Sequence, residues 1–246
     1  MAARRFHQKR KNRPAAIVLA LVAAVVLALL LGGRVFIVRR ISVQGNQLFT
    51  DRAIADQSGI DLGQSIFSVD QDAIYSAFAG NGDIALEGVA VHWPDTVELT
   101  VRERQGRAYI SYLGTALLVD QDMVIMRQLS DLPADGMPVI TGVTVTGCAV
   151  GQTVISNVAG QIQAASRVLQ ALWNCGLQQQ VSELNLADLD NLYLITNSGM
   201  MVVLGDESAM ADKLTWMQAV TQQLAAEGVT TGSLDVSSGT SAIYAP

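Results

Sequence analysis

The strongest pattern in the chain is the run from Ala15 to Gly33, nineteen residues of Ala, Ile, Val, Leu and Gly with no charge and no polar face. As a helix rising about 1.5 Å per residue it would span about 28 Å, close to the hydrocarbon core of a bilayer. With its flanks it predicts one transmembrane helix over 15–37. The period then shortens to two, since Ile41 and Val43 alternate with Ser42 and Gln44 before Gly45-Asn46 supplies a turn. Thr50 offers a hydroxyl N-cap with Asp51 in the first turn, and the helix it opens stops at Gly59. Asp70 caps a second helix that should bury Ile74 and Phe78. Past Gly80-Asn81-Gly82, Ile84 and Leu86 occupy one phase of a strand and Val89, Val91 and Trp93 the other. That slip predicts a β-bulge at Gly88 and places Trp93 on the core side with Val91. Pro94-Asp95 turns the chain into a strand with Val97, Leu99 and Val101 inward. The order β-α-α-β-β closes a first unit over 38–106.

A second unit, 107–246, opens with strand-like segments around Gly114 and the Asp120-Gln121-Asp122 turn, and Pro133 and Pro138 punctuate the loop leading to a further apolar segment. From Val158 to Trp173 apolar residues fall at helical spacing. "VSELNL" and "NLYLIT" then read as strands, Asn197-Ser198-Gly199 as a hairpin loop and "MMVVLG" as the next strand, and a helix follows with Met210, Leu214, Met217 and Leu224 on one face, ending at Gly228. Two short strands around Ser238-Gly239 close the chain. These elements predict a mixed sheet covered on one face by two helices, so the whole is α+β.

Charge adds a direction. Arg4, Arg5, Lys9, Arg10, Lys11 and Arg13 precede the apolar run, in a basic tail over 1–14, and Arg34, Arg39 and Arg40 follow it. The positive excess predicts a cytoplasmic N-terminus and extracytoplasmic domains. A cleaved signal peptide fits less well, because the run is longer than a usual h-region and no A-x-A-like site closes it. Residues 41–246 hold all 22 acidic residues and seven basic ones, a formal charge of −15 that excludes a nucleic-acid-binding surface. The basic tail is read as a topology signal that touches anionic lipid.

Candidate chemistry is sparse. There is no G-x-S-x-G, no S-x-x-K around Lys213, no phosphate loop and no H-E-x-x-H. Gly80-x-Gly82-x-x-Ala85 follows a helix and precedes a strand, the reverse of what a phosphate-binding turn requires. Asp120 and Asp122 read as turn residues, and His92 as a surface residue alternating with Val91 and Trp93. Cys148 and Cys175 could form one bridge in an exported domain, but Cys175 falls near the end of an apolar-periodic helix where a small buried thiol fits, and two free thiols are preferred. No cofactor, metal or catalytic residue is expected, and the chain is not read as an enzyme.

The segments "ISVQGNQLFT", "SGIDLGQSIFSVD" and "VAVHWPDTVELTVRER", in that order beside one membrane helix, resemble the POTRA domain of the FtsQ/DivIB family of bacterial cell-division proteins. The later "VVLG", "KL", "LDV" and "AIYAP" are similar to that family's second, β domain. The resemblance implies a single-pass scaffold of the division machinery at the septum, recruiting and regulating septal peptidoglycan synthesis. Its implied partners are small membrane proteins of the FtsB/DivIC and FtsL type, with septal wall synthases beyond them. It also implies that a partner strand adds beside the last strands, at Leu234, Asp235, Val236, Ser241, Ala242, Ile243 and Tyr244. The alternative from another class is a membrane-tethered POTRA chaperone for secreted or outer-membrane proteins, against which stand the lack of a repeated POTRA unit and of porin-like strands.

Overall fold

Short-range chemistry builds the first unit much as its sequence suggests. The computed structural model of the chain describes residues 17–26 and 35–246. Strand β1 (Arg40–Gln44) ends where Gly45 takes φ 91°, and a side chain there would run into the Val101 carbonyl oxygen. Thr50 Oγ1 accepts from Ala53 N at the start of α1 (Asp51–Gln57), and Asp70 accepts from Asp72 N and Ala73 N at the start of α2 (Gln71–Phe78). β2 (Ile84–His92) and β3 (Thr96–Glu103) form an antiparallel pair whose register shifts between Leu86 and Gly88, the expected bulge. β1 lies parallel to β3, giving the order β1-β3-β2. Ile54, Ile66, Ile74, Phe78, Val97, Leu99 and Val101 make one core between this sheet and the two helices.

Trp93 departs from expectation. It is 55% exposed and stands in a ring cluster with Phe67 and Phe36, with centroids 4.7 Å and 5.8 Å away. Alternation ends at His92, where the strand stops, so the turn and not the pleat sets the direction of Trp93.

The expected membrane span is covered only in part. Residues 17–26 are helical with exposed apolar side chains, while 15–16 and 27–34, like the basic tail 1–14, lie outside the described residues. Among the described residues no helix is long and apolar enough to cross a membrane. Phe36 and Ile37, expected within the span, instead meet the first unit: Ile66 N donates to the Phe36 carbonyl at 3.0 Å, Ile37 bridges to Ser65, and Val38 is fully buried. Hydropathy cannot separate an apolar residue that enters lipid from one that docks on a protein core.

The second unit is a nine-stranded sheet: β4 (Ala108–Tyr112), β5 (Thr115–Val119), β6 (Ile125–Leu129), β7 (Val139–Thr141), β10 (Val181–Asn185), β11 (Leu192–Thr196), β12 (Met200–Gly205), β13 (Gly232–Asp235) and β14 (Ile243–Ala245), in the order β14-β13-β12-β11-β10-β7-β4-β5-β6. A separate pair, β8 (Val145–Gly147) and β9 (Ile155–Ser156), lies outside it. Helices α3 (Gln161–Asn174) and α4 (Met210–Ala226) bury Val168, Leu169, Leu172, Leu214 and Met217 against the sheet's Leu184, Leu194, Val202 and Leu234. The predicted helix over 158–173 starts later, because Gly160 in the left-handed region precedes it and Val158 is exposed. Cys148 and Cys175 are free thiols, each half-buried.

The two units are joined by more than the chain. Arg104 Nη1 reaches Asp120 Oδ2 at 2.6 Å, and Arg102 bridges Glu87 to Asp122 at 2.9 and 2.8 Å. Arg127 meets Asp83 at 3.1 Å. Asp120, almost fully buried, also accepts from Asp122 N and Val124 N, which confirms its turn role and adds one that spacing did not reveal. Backbones touch as well: a Cβ on Gly82 would fall 2.8 Å from Met126 Cα, and one on Gly151 would fall 2.5 Å from the Ala79 carbonyl oxygen. Gly82 therefore serves this contact rather than a phosphate.

Candidate functional site

The register of the large sheet decides which residues its end can offer. Leu184, Leu194, Val202, Leu234 and Tyr244 pair in sequence across β10 to β14, and this row faces the helices. The next row, Asn185, Tyr193, Val203, Asp235 and Ile243, faces the opposite way, because neighbours along a strand alternate sides. On the other side of the helix-facing row, Ile195, Met201, Ser233 and Ala245 align likewise. None of these eight side chains, from Tyr193 to Ala245, is fully buried.

This order corrects part of the expected site. Leu234 and Val236 are fully buried core residues, and β13 is paired on both sides, with β12 and with β14. Neither can meet a partner through its side chain. Asp235 is exposed, but its carboxylate accepts from Ser237 N at 2.9 Å and is held below the usual carboxylate range by the hydrogen bonds of Ser237. Ser241 and Ala242 lie in the loop before β14, where Ser238 Oγ accepts from Thr240 N and Ser241 N. The residues that sit at the edge are Ile243, Tyr244 and Ala245.

Ile243 is 67% exposed and projects on the open face. Tyr244 turns inward, packs against the core and donates from its hydroxyl to the Thr231 carbonyl at 2.9 Å. Gly232 makes the seat for that ring: it has φ 116°, and a Cβ there would lie 2.7 Å from Tyr244 Cε2. β14 ends the sheet order, so one side of its backbone is unpaired within the sheet.

Below this edge sits a residue that sequence reasoning passed over. Lys213 is 1% exposed, with Nζ 2.8 Å from both the Asp206 carbonyl and Asp206 Oδ1. The Lys213 ammonium first, and the Ser208 hydroxyl and amide second, pull the Asp206 carboxyl down to about 2. The stem of Lys213 fills space beneath Gly239, in the loop between β13 and β14. Only its position on the apolar side of α4, one residue before Leu214, hinted at burial.

The open-face residues Tyr193, Ile195, Met201 and Val203 were also missed. Their signal was present: "NLYLIT" and "MMVVLG" are apolar in both phases of the strand, as expected where both faces of a sheet are covered or contacted. The arrangement offers an unpaired strand edge beside a partly exposed apolar face. Among the described residues no group of three or more His, Cys, Asp or Glu is placed to hold a metal ion.

Comparison with known proteins agrees with these two units. Residues 36–104 match the FtsQ-type POTRA domain, and residues 108–237 match the C-terminal domain of the cell-division protein FtsQ/DivIB. The chain is 28% identical over 237 residues to the cell-division protein FtsQ of Anaeromyxobacter sp. (strain K), covering 90% of this chain and 78% of that one. FtsQ of Streptomyces bingchenggensis (strain BCW-1) is 28% identical over 122 residues, covering 49% of this chain and 46% of that one. The match to the latter thus spans about half of that protein's length. A solved structure, the major extracytoplasmic domain of the trans isomer of DivIB from Geobacillus stearothermophilus, overlaps 50% of this chain and 96% of its own at 17% identity and a TM-score of 0.33, too distant to carry an argument. Strand β14 lies beyond the matched residues 108–237.

Proposed function

Because this chain belongs to the FtsQ/DivIB family of cell-division proteins, we propose that it is a single-pass scaffold of the division machinery whose C-terminal sheet edge takes a strand from a membrane partner. In this reading the apolar run 15–33 anchors it with the N-terminus cytoplasmic and both folded units outside, at the septum. The partners are small membrane proteins of the FtsB/DivIC and FtsL type, through which septal peptidoglycan synthesis is recruited and regulated.

The observation that carries the proposal is the end of the sheet. β14 is short and terminal in the sheet order, and Ile243 stands exposed beside the open-face row. An added strand would gain main-chain hydrogen bonds from the edge, while its alternate side chains would lie beside Ile243 on the open face. In this reading the contact set is the β14 edge itself: Ile243 and Ala245 through backbone and side chain, and Tyr244 through its backbone.

In-cell crosslinking from a photoreactive residue at Ile243, with a second at the buried Leu234 as control, tests this reading. Capture of small single-pass proteins at Ile243 and not at Leu234 supports strand addition. Capture of unfolded secreted clients would favour the tethered chaperone, and no specific capture at Ile243 would remove the edge as the contact.

A further inference from the structure

Three chain segments converge where the apolar run enters the first unit. The first is 35–40, directly after that run. The second is 62–68, bonded to it through Ile66 N to the Phe36 carbonyl (3.0 Å), Val38 N to the Gln64 carbonyl (2.8 Å) and Gly63 N to the Val38 carbonyl (2.8 Å). The third is the 93–95 turn, whose Asp95 carbonyl accepts from Arg39 N at 2.9 Å and Arg40 N at 3.3 Å. Together they hold Phe36, Phe67 and Trp93 in one cluster, with Phe36 and Phe67 centroids 5.6 Å apart.

Phe36 is half-buried and leans on the core of the unit, but the other two rings stand outside it. Phe67 is 69% exposed and Trp93 55%, and the buried core of the unit contains neither. Water-facing aromatic surface of this size is costly unless something covers it. Its position says what does. Phe36 stands three residues after Gly33, the end of the apolar run. Even fully extended, three residues reach only about 10 Å, and a headgroup layer is about 5–8 Å deep. Arg39 and Arg40 come next in sequence, in a domain otherwise strongly acidic.

We propose that the Phe36–Phe67–Trp93 cluster docks the POTRA unit into the headgroup–acyl boundary of the membrane that anchors the chain. Indole and phenyl rings partition to that zone, and cations beside them meet lipid phosphates. The docking sets the tilt of the first unit on the bilayer. Through the ionic contacts of Arg102, Arg104 and Arg127 it then fixes the height at which the second unit presents its edge. The inference rests on the membrane-anchored reading above and adds a second, peripheral attachment to it.

The test uses the unaltered full chain reconstituted into vesicles of phosphatidylcholine and phosphatidylglycerol, first confirmed to float with the lipid. Hydroxyl-radical footprinting then compares Trp93 with Trp216, which is 39% exposed on α4. The protein alone ranks Trp93 as the more reactive. Docking inverts that order, with Trp93 oxidised several-fold less than Trp216. Acyl chains brominated near the headgroup should then quench Trp93 in a Trp173→Phe, Trp216→Phe chain, and Phe67→Ser should weaken the quenching. If the chain floats but Trp93 remains the more oxidised and unquenched, the docking inference falls and the anchor stands. If the chain does not float, both fall. Protection of Trp93 without quenching would mean that a neighbouring protein copy, not lipid, covers the rings, and would also overturn the proposal.

Discussion

Lys213 and Asp206 show how far one side chain can decide local stability. The ammonium is removed from water and satisfied by one carboxylate oxygen and one carbonyl, so deleting it leaves a cavity and takes the charged partner from a carboxylate that keeps only its Ser208 hydrogen bonds. Lys213→Ala should lower unfolding free energy by about 3 kcal/mol, whereas Lys213→Met, which keeps the buried stem and drops the charge, should cost about 1 kcal/mol or less. Urea-denaturation midpoints distinguish the two. The pair also has a pH signature. The Asp206 carboxyl titrates at about 2 in the fold against 3.8 without its partners. Its contribution is therefore complete above pH 3.8 and is lost as pH falls through about 2. Stability measured across that window should fall less steeply in Lys213→Met than in the parent.

At the scale of the element, the last strand depends on the seat of one ring. Tyr244 covers Gly232 and bonds to the Thr231 carbonyl, and these contacts hold a three-residue strand in place. Gly232→Val would force a branched side chain into φ 116° and into the Tyr244 ring. Amides of 243–245 should then exchange with solvent at least about tenfold faster while those of β11 and β12 keep their protection, and crosslinking from Ile243 should fall in parallel. The periodic segments that build this sheet were legible in the sequence, as were the caps Thr50 and Asp70 and the bulge at Gly88. The edge residues were legible only as a stretch. Which of Leu234, Val236, Ile243 and Tyr244 faces outward depends on pairing register, and the loop between β13 and β14 hides that register from a linear reading.

At the scale of the molecule, two cores are tied by a band of charge. Arg102, Arg104 and Arg127 each bond an acidic residue of the other unit, and Gly82 allows backbone contact at Met126. The Arg104–Asp120 pair is largely buried, so salt should weaken it less than the exposed pairs around it. Gly82→Val should force the units apart without unfolding either core. Small-angle scattering would then report a larger maximum dimension, and limited proteolysis a new cleavage near Gln105 to Arg107. Asp120→Ala should also loosen the junction, but it removes two turn hydrogen bonds as well and should cost about 2–4 kcal/mol in the stability of the second unit, read by chemical denaturation.

Sequence alone determined the features that are written between near neighbours: the uncharged run, the period-two strands, the helix caps, the β-α-α-β-β order and the acid excess of the folded region. Each depends on residues within a few positions of one another, where backbone geometry fixes which side chains share a face. Tertiary structure alone decided the rest. It turned Trp93 out of the core and beside Phe36 and Phe67, took Phe36 and Ile37 from the expected span into the POTRA unit, buried Lys213 under the β13–β14 loop, and made Asp120 a partner of Arg104. These outcomes join segments up to tens of residues apart in the chain, and a buried charge or an exposed ring is stable only when those distant segments supply its partner.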